Sequence, residues 1–278
     1  MKSLSLGYSP CPNDTYIFYA LTHNKVAIPG HTIEQRLEDV ETLNQLALNG
    51  LLDLTKISYH ALGHLRDRYV LLHSGGALGR GCGPLVIAPE STDMQALRGK
   101  RIAVPGKLTT ANLLLQLYGS GYEDLLILPF DQIMNALQSG AADAGVIIHE
   151  SRFTYQQAGF HEVLDLGAWW EADSGLPIPL GGILARRDLG EKMIRMADDA
   201  IRSSLEYARL HPQEPRSYIK EHAQELENEV IDAHINLYVN DFSLTLGDQG
   251  IMAVETLLRR AESRGLIPKS DKPLFLSG

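Results

Sequence analysis

Asp39–Tyr59 (DVETLNQLALNGLLDLTKISY) and Pro129–His149 (PFDQIMNALQSGAADAGVIIH) align without a gap when Asn49-Gly50 is laid on Ser139-Gly140. Asp53 then falls on Asp143, Leu43 on Ile133, Ile57 on Ile147 and Tyr59 on His149. Each copy reads as a helix, a glycine stop, an acid, and an apolar strand that runs into polar groups. In the first copy Val40, Leu43, Leu46 and Ala47 recur at helical spacing behind Asp39, a residue type that caps helix starts. Helix-glycine-strand is a common unit, and a chance match is the competing reading. The alternative is two α/β domains of similar build. Ligands of such folds gather at the carboxyl ends of the strands, where the connections diverge. Two facing domains then bring Ser58-Tyr59 and His149-Glu150 to a shared cleft.

Outward from this pair, strand-like and helix-like segments alternate. Leu4–Leu6 predicts a short strand, Tyr16–Leu21 a helix, Leu85–Ala88 a strand, and RIAV-PGKLTT-ANLLLQLYG (101–119) a strand, a turn and a helix closed by glycine. GPLVIA (83–88) and GGILA (181–185) mirror each other and are the candidate crossing strands of a hinge. Beyond Leu189 the pattern is mostly helical, and these helices are expected to return to the first domain. The expected division is 1–88 plus 186–278 for the first α/β domain and 89–185 for the second. Gly75–Gly83 reads as a flexible connection: its glycines precede another strand rather than a helix, so the dinucleotide fingerprint is not met. Trp169-Trp170 is placed in a loop, with core anchoring favoured over ligand stacking.

The chain has 278 residues, of which 44% are hydrophobic and 21% charged, enough apolar surface for real cores. A formal net charge of -9 without clustered Lys or Arg argues against a nucleic-acid partner and for a small molecule. Cys11 and Cys82 form no paired motif, so neither a disulfide framework nor a zinc knuckle is suggested. No window approaches the roughly 18 apolar residues of a membrane span. With no export signal read at the N-terminus, a cytoplasmic protein is expected; the oligomeric state is left open.

Several groups carry chemistry. His149 ends the apolar run GVIIH, where an imidazole would serve as general base, the plainer reading being a structural histidine on a carbonyl. PGKLTTAN (105–112) sets two hydroxyls at a helix start, where free N–H groups favour an anion such as a carboxylate; simple capping by threonine is the alternative. Lys56-Ile57-Ser58 adds a cation and a hydroxyl from the other copy. His60 and His64 have metal-helix spacing but lack the accompanying glutamate. SPCPND (9–14) reads as a rigid cleft-lining turn in which Asn13 or Asp14 caps a helix beginning near Thr15, and Cys11 has no partner for redox chemistry.

Taken together, GYSPCPNDTYIFYAL, LEDVETLN, LTKISY, SGGALGRG, VPGKLTTA, IIHESRFTY, DLGAWWE, LGGILARRDLG and YVNDFSL, in this order from Gly7 to about Leu246, resemble the 1,4-dihydroxy-6-naphthoate synthase family of the futalosine route to menaquinone. The resemblance implies an α/β, periplasmic-binding-protein-like fold of the second type, two α/β domains around an interdomain cleft. It implies a cytoplasmic carbon-carbon lyase that converts cyclic dehypoxanthine futalosine to 1,4-dihydroxy-6-naphthoate with no metal or organic cofactor. It assigns the proton acceptor to His149 and substrate contacts to Lys56, Ile57, Ser58, Thr110 and Ala111. The partner is then a small-molecule carboxylate, with no nucleic acid and no membrane. The rival readings are a chorismate dehydratase-like enzyme of the same pathway and a small-acid-binding protein without chemistry.

Overall fold

The structure is a computed structural model and describes residues 2–223 and 227–276. In chain order its elements are β1 (Lys2–Tyr8), α1 (Pro12–Thr22), β2 (His31–Leu37), α2 (Val40–Leu48), β3 (Leu54–Ser58), α3 (Tyr59–Leu65), β4 (Tyr69–Leu71), β5 (Ala77–Gly79), β6 (Leu85–Ala88), β7 (Ile102–Val104), α4 (Thr110–Tyr118), β8 (Leu125–Ile127), α5 (Ile133–Gln138), β9 (Ala144–Ile147), α6 (Ser151–Thr154), β10 (His161–Asp165), α7 (Leu166–Ser174) and β11 (Ile178–Arg186). The helices α8 (Glu191–Leu210), α9 (Arg216–His222), α10 (Asn228–Tyr238), α11 (Asp241–Leu244) and α12 (Gly247–Ser263) follow.

Two sheets form. One has the order β2-β1-β3-β11-β4, with β5 also against β11; the other has the order β10-β6-β9-β7-β8. The parallel sets β2-β1-β3 and β8-β7-β9 are the same arrangement built twice. Each is flanked by an antiparallel strand, β11 beside β3 and β6 beside β9. The aligned segments are therefore equivalent elements, α2–β3 in one lobe and α5–β9 in the other. Gly50 and Gly140 both adopt left-handed φ, +70 and +72 degrees, which L residues with side chains disfavour. Asp53 accepts a hydrogen bond from the Ser5 amide of β1 at 2.9 Å, and Asp143 accepts one from the Arg101 amide beside β7 at 3.0 Å. The aligned acids thus tie equivalent strands together.

Local structure departs from the sequence reading in four places. Helix α1 starts at Pro12 rather than near Thr15, because proline at the first helical position gives up no hydrogen bond. Asn13 and Asp14 lie inside its first turn and do not cap it. The Gly75–Gly83 stretch contains β5, whose backbone pairs with β11. Trp169 and Trp170 stand on α7 rather than in a loop, Trp170 fully buried with its indole N–H donating to the Pro177 carbonyl at 3.0 Å. Finally, both candidate hinge strands are full members of a sheet, β6 of the second and β11 of the first. Between strands of the two sheets the chain crosses at 80–84 and 166–177.

These two crossings touch. A Cβ placed on Gly83 would fall inside the van der Waals envelope of the Gly167 backbone, and the reverse also holds. Arg152 of α6 braces the same spot, donating to the carbonyls of Gly83 and Gly81 and pairing with Asp165 at 2.7 Å.

The first lobe's core joins β1, α1 and α8. Ile194, Ala197, Ile201, Leu205 and Ala208 form the buried stripe of α8 at helical spacing. Ser204 donates to the Ile17 carbonyl at 2.6 Å and accepts from the Leu21 amide at 3.1 Å. The lobes meet along the 105–112 turn. Glu41 accepts from the Leu108 amide at 3.0 Å, the Tyr59 amide donates to the Thr110 hydroxyl at 2.9 Å, and His60 Nδ1 lies 3.3 Å from the Thr109 carbonyl.

Two predictions follow from this packing. Gly83→Ala forces backbone apart and is expected to cost about 2–3 kcal/mol in chemical denaturation, against about 1 kcal/mol for Gly140→Ala, where only the left-handed φ is strained. His60 is lowered to about 4, chiefly by burial and then by His64. The unfolded chain therefore binds its proton first, and stability falls as pH drops from about 6.5 toward 4 by up to about 3 kcal/mol for this group. Denaturation midpoints measured across that window should show a shallower pH slope in His60→Gln than in the parent; an unchanged slope would contradict the assignment.

Candidate functional site

The carboxyl ends of β1, β3 and β9 and the turn after β7 converge on one cleft. Lys56, Ile57, Ser58, Thr110, Ala111 and His149 all line it. Residues taken from two distant copies of one sequence unit are thereby brought to a single space.

His149 follows β9 and has φ +58 degrees, unusual for a residue with a side chain. The left-handed turn swings its imidazole out of the strand path and toward α1, where Nδ1 lies 3.4 Å from the Cys11 sulfur. Phe130 meets the ring edge-on at 4.9 Å, and His234 stacks at 6.1 Å between centroids. Nε2 is buried and has no hydrogen-bond partner among the described residues. Burial lowers the imidazole to about 4, opposed by Asp14 and aided by Lys56. The ring is thus neutral near neutral pH.

The segment SPCPND builds the opposite wall. The Ser9 hydroxyl donates to the Cys11 sulfur at 3.0 Å. Burial, then the charge of Glu150, pushes the Cys11 thiol well above its ordinary range, so it sits beside His149 as a neutral thiol rather than a nucleophile. Asp14 receives three donors: Lys56 Nζ at 2.7 Å, Asn13 Nδ2 at 2.8 Å and the Ser9 amide at 3.2 Å. The Lys56 ammonium is therefore a paired cation, oriented by Asp14, rather than a bare one.

At the start of α4 the hydroxyls are committed to structure. Thr109 caps the helix, accepting from the Asn112 amide at 3.2 Å. Thr110 donates to the Leu180 carbonyl at 2.5 Å while accepting from Tyr59. The donors left for an anion are the backbone N–H groups of Thr110 and Ala111, which have no acceptor among the described residues. They stand at the positive end of the helix dipole. Ser58 contributes its hydroxyl proton, since its oxygen only accepts from Asn44, at 3.3 Å. Capping thus accounts for Thr109, and the amides beyond it are left without an acceptor among the described residues.

Sequence reasoning placed Cys11, Asn13 and Asp14 in a cleft-lining turn without giving them a part in the site, and it did not single out His234 or Tyr238 at all. His234 left a trace there: it lies on the buried stripe of α10 with Ile231 and Tyr238, a polar residue at a core position.

Removing one partner of the buried Asp14–Lys56 pair leaves the other uncompensated. Asp14→Asn is expected to lose about 3–5 kcal/mol of stability in denaturant titrations, with much of it recovered in Asp14→Asn/Lys56→Met; equal losses in both variants would show that the pair is not what matters.

Comparison with known proteins places the chain. The family model described as menaquinone biosynthesis matches residues 4–263. The 1,4-dihydroxy-6-naphtoate synthase of Thermus thermophilus is 56% identical over 276 residues, covering 99% of this chain and 100% of that protein. The protein of the same name from Streptomyces coelicolor is 45% identical over 272 residues, 96% of this chain and 95% of that one. Among solved structures, protein AF1704 from Archaeoglobus fulgidus superposes with a TM-score of 0.90 at 38% identity, over 95% of this chain and 98% of its own. The alkanesulfonate-binding protein SsuA from Xanthomonas axonopodis pv. citri gives a TM-score of 0.70 at 17% identity, over 97% and 95%, which shows a shared periplasmic-binding-protein-like fold and nothing more. Matched along almost its whole length by the family model and by two synthases, the chain belongs to the 1,4-dihydroxy-6-naphthoate synthase family of menaquinone biosynthesis.

Proposed function

We propose that the chain is a carbon-carbon lyase that converts cyclic dehypoxanthine futalosine to 1,4-dihydroxy-6-naphthoate, with His149 as general base. The observation that carries this reading is the imidazole of His149, held by a left-handed backbone with an unpartnered nitrogen, in the same cleft as the amides at the start of α4. A substrate carboxylate on the Thr110 and Ala111 amides and the Ser58 hydroxyl fixes the reacting ring beside the imidazole. Lys56, steered by Asp14, supports oxygens of the substrate that gain negative charge. His149 then takes a proton, the carbon-carbon bond breaks, and aromatisation of the new ring provides the driving force. The hydrogen bonds that close the lobes over the 105–112 turn limit water in the cleft during the step.

Incubation of the purified chain with cyclic dehypoxanthine futalosine tests the reading through the absorbance of the naphthoate product. His149→Ala is expected to retain substrate binding by calorimetry and to lose turnover by about a hundredfold to ten-thousandfold. Unchanged product formation in that variant rejects His149 as the base, and substrate capture without turnover by the parent chain favours a binding protein instead.

A further inference from the structure

We propose that Cys11, His149 and Glu150 form a binding site for one zinc-type divalent cation, and that occupancy of this site inhibits the protein. One ligand atom from each residue lies within 4.8 Å of the other two. The sulfur of Cys11 and Nδ1 of His149 are 3.4 Å apart. Zinc bonds of about 2.3 Å to sulfur and about 2.0 Å to nitrogen, at a tetrahedral angle, hold such a pair about 3.5 Å apart, so the two atoms already stand at the required separation. Thiolate, imidazole and carboxylate together suit zinc and its neighbours in the first transition row, not magnesium or calcium.

A second observation comes from His234, which is fully buried near the Glu150 carboxyl group. Asn13 donates its amide N–H to Asp14, so its carbonyl oxygen is the atom facing His234 Nε2 at 3.0 Å. That nitrogen must carry the ring hydrogen, and Nδ1 is left with a lone pair. Nδ1 lies 4.0 Å from Glu150 Oε1, too far for a hydrogen bond, and has no donor among the described residues. A buried lone pair beside a carboxyl oxygen makes a pocket of negative potential. A cation between Cys11, His149 and Glu150 would have His234 as an outer neighbour of the carboxylate.

On binding, the S–H bond of Cys11 breaks, a metal–sulfur bond forms, and the proton leaves to solvent; no electron is transferred. The ion fixes the His149 ring and fills the space beside it, so it competes with any ligand of the cleft. Three protein ligands leave one position for water. The inhibition part rests on the reaction proposed above, whereas metal binding itself does not.

Titration of the reduced full-length chain with Co²⁺ under anaerobic conditions tests the site. The expected result is a near-ultraviolet sulfur-to-cobalt band and intense visible bands of four-coordinate cobalt, saturating at one equivalent and bleached by Zn²⁺. Cys11→Ser should abolish the sulfur band, Glu150→Gln should weaken Co²⁺ binding by roughly tenfold or more, and Cys82→Ser should keep the band. Circular dichroism melts establish that each variant is folded. With cyclic dehypoxanthine futalosine as substrate, Zn²⁺ should stop product formation and a chelator should restore it. A parent protein without a sulfur band at saturating Co²⁺, or a band that survives Cys11→Ser in the folded variant, overturns the site. A parent protein that binds cobalt as described but never turns over substrate refutes the proposed reaction and leaves the metal site standing.

Discussion

The buried ion pair of Asp14 and Lys56 organises the cleft. Taking an ammonium and a carboxylate out of water costs several kcal/mol per ion, and their attraction offsets this only when the remaining lone pairs and protons are also met. Here Asp14 accepts from Lys56, Asn13 and the Ser9 amide together. Those contacts join the first turn of α1 to the end of β3 and fix the carbonyl of Asn13 toward His234. The geometry of SPCPND is thus set by an electrostatic demand, and the two prolines make its path stiff enough to meet it.

The start of α4 and the end of β9 present different groups to the cleft. The start of α4 supplies amides whose neighbouring hydroxyls are tied to Leu180, Tyr59 and Asn112 and so cannot swing to water. The left-handed residue at the end of β9 places an imidazole without asking its strand to bend. Arg152, three residues on, ties that turn to the crossing glycines Gly83 and Gly81. His149 thus lies three residues from the side chain that braces the point where the chain passes between lobes.

The fold was largely legible because its signal is repeated. Helical spacing, a left-handed glycine and an acid recur ninety positions apart, and each element has a local physical cause that sequence displays. The cleft residues Lys56, Ser58 and His149 were legible for a related reason, as they sit just where apolar strands give way to polar side chains. Asn13 and Asp14 were misread as caps since both types cap helices, and only the partners Lys56 and His234, 42 and 221 positions away, reveal their work. Such contacts depend on which elements meet in space, which no local spacing encodes. The strand in Gly75–Gly83 was hidden for the same reason: its partner β11 lies about a hundred residues later.

The abutting glycines at the crossings have a topological consequence. The second sheet, with everything hung on it, is a guest whose entrance and exit lie side by side, while the host sheet is completed only after the guest has been made. During synthesis β3 emerges long before its neighbour β11, so one flank of the host stays uncovered until more than a hundred further residues have been added. The guest lobe has all of its strands in one continuous stretch and no such wait. Order of emergence therefore favours the inner lobe as the earlier one to reach its final shape.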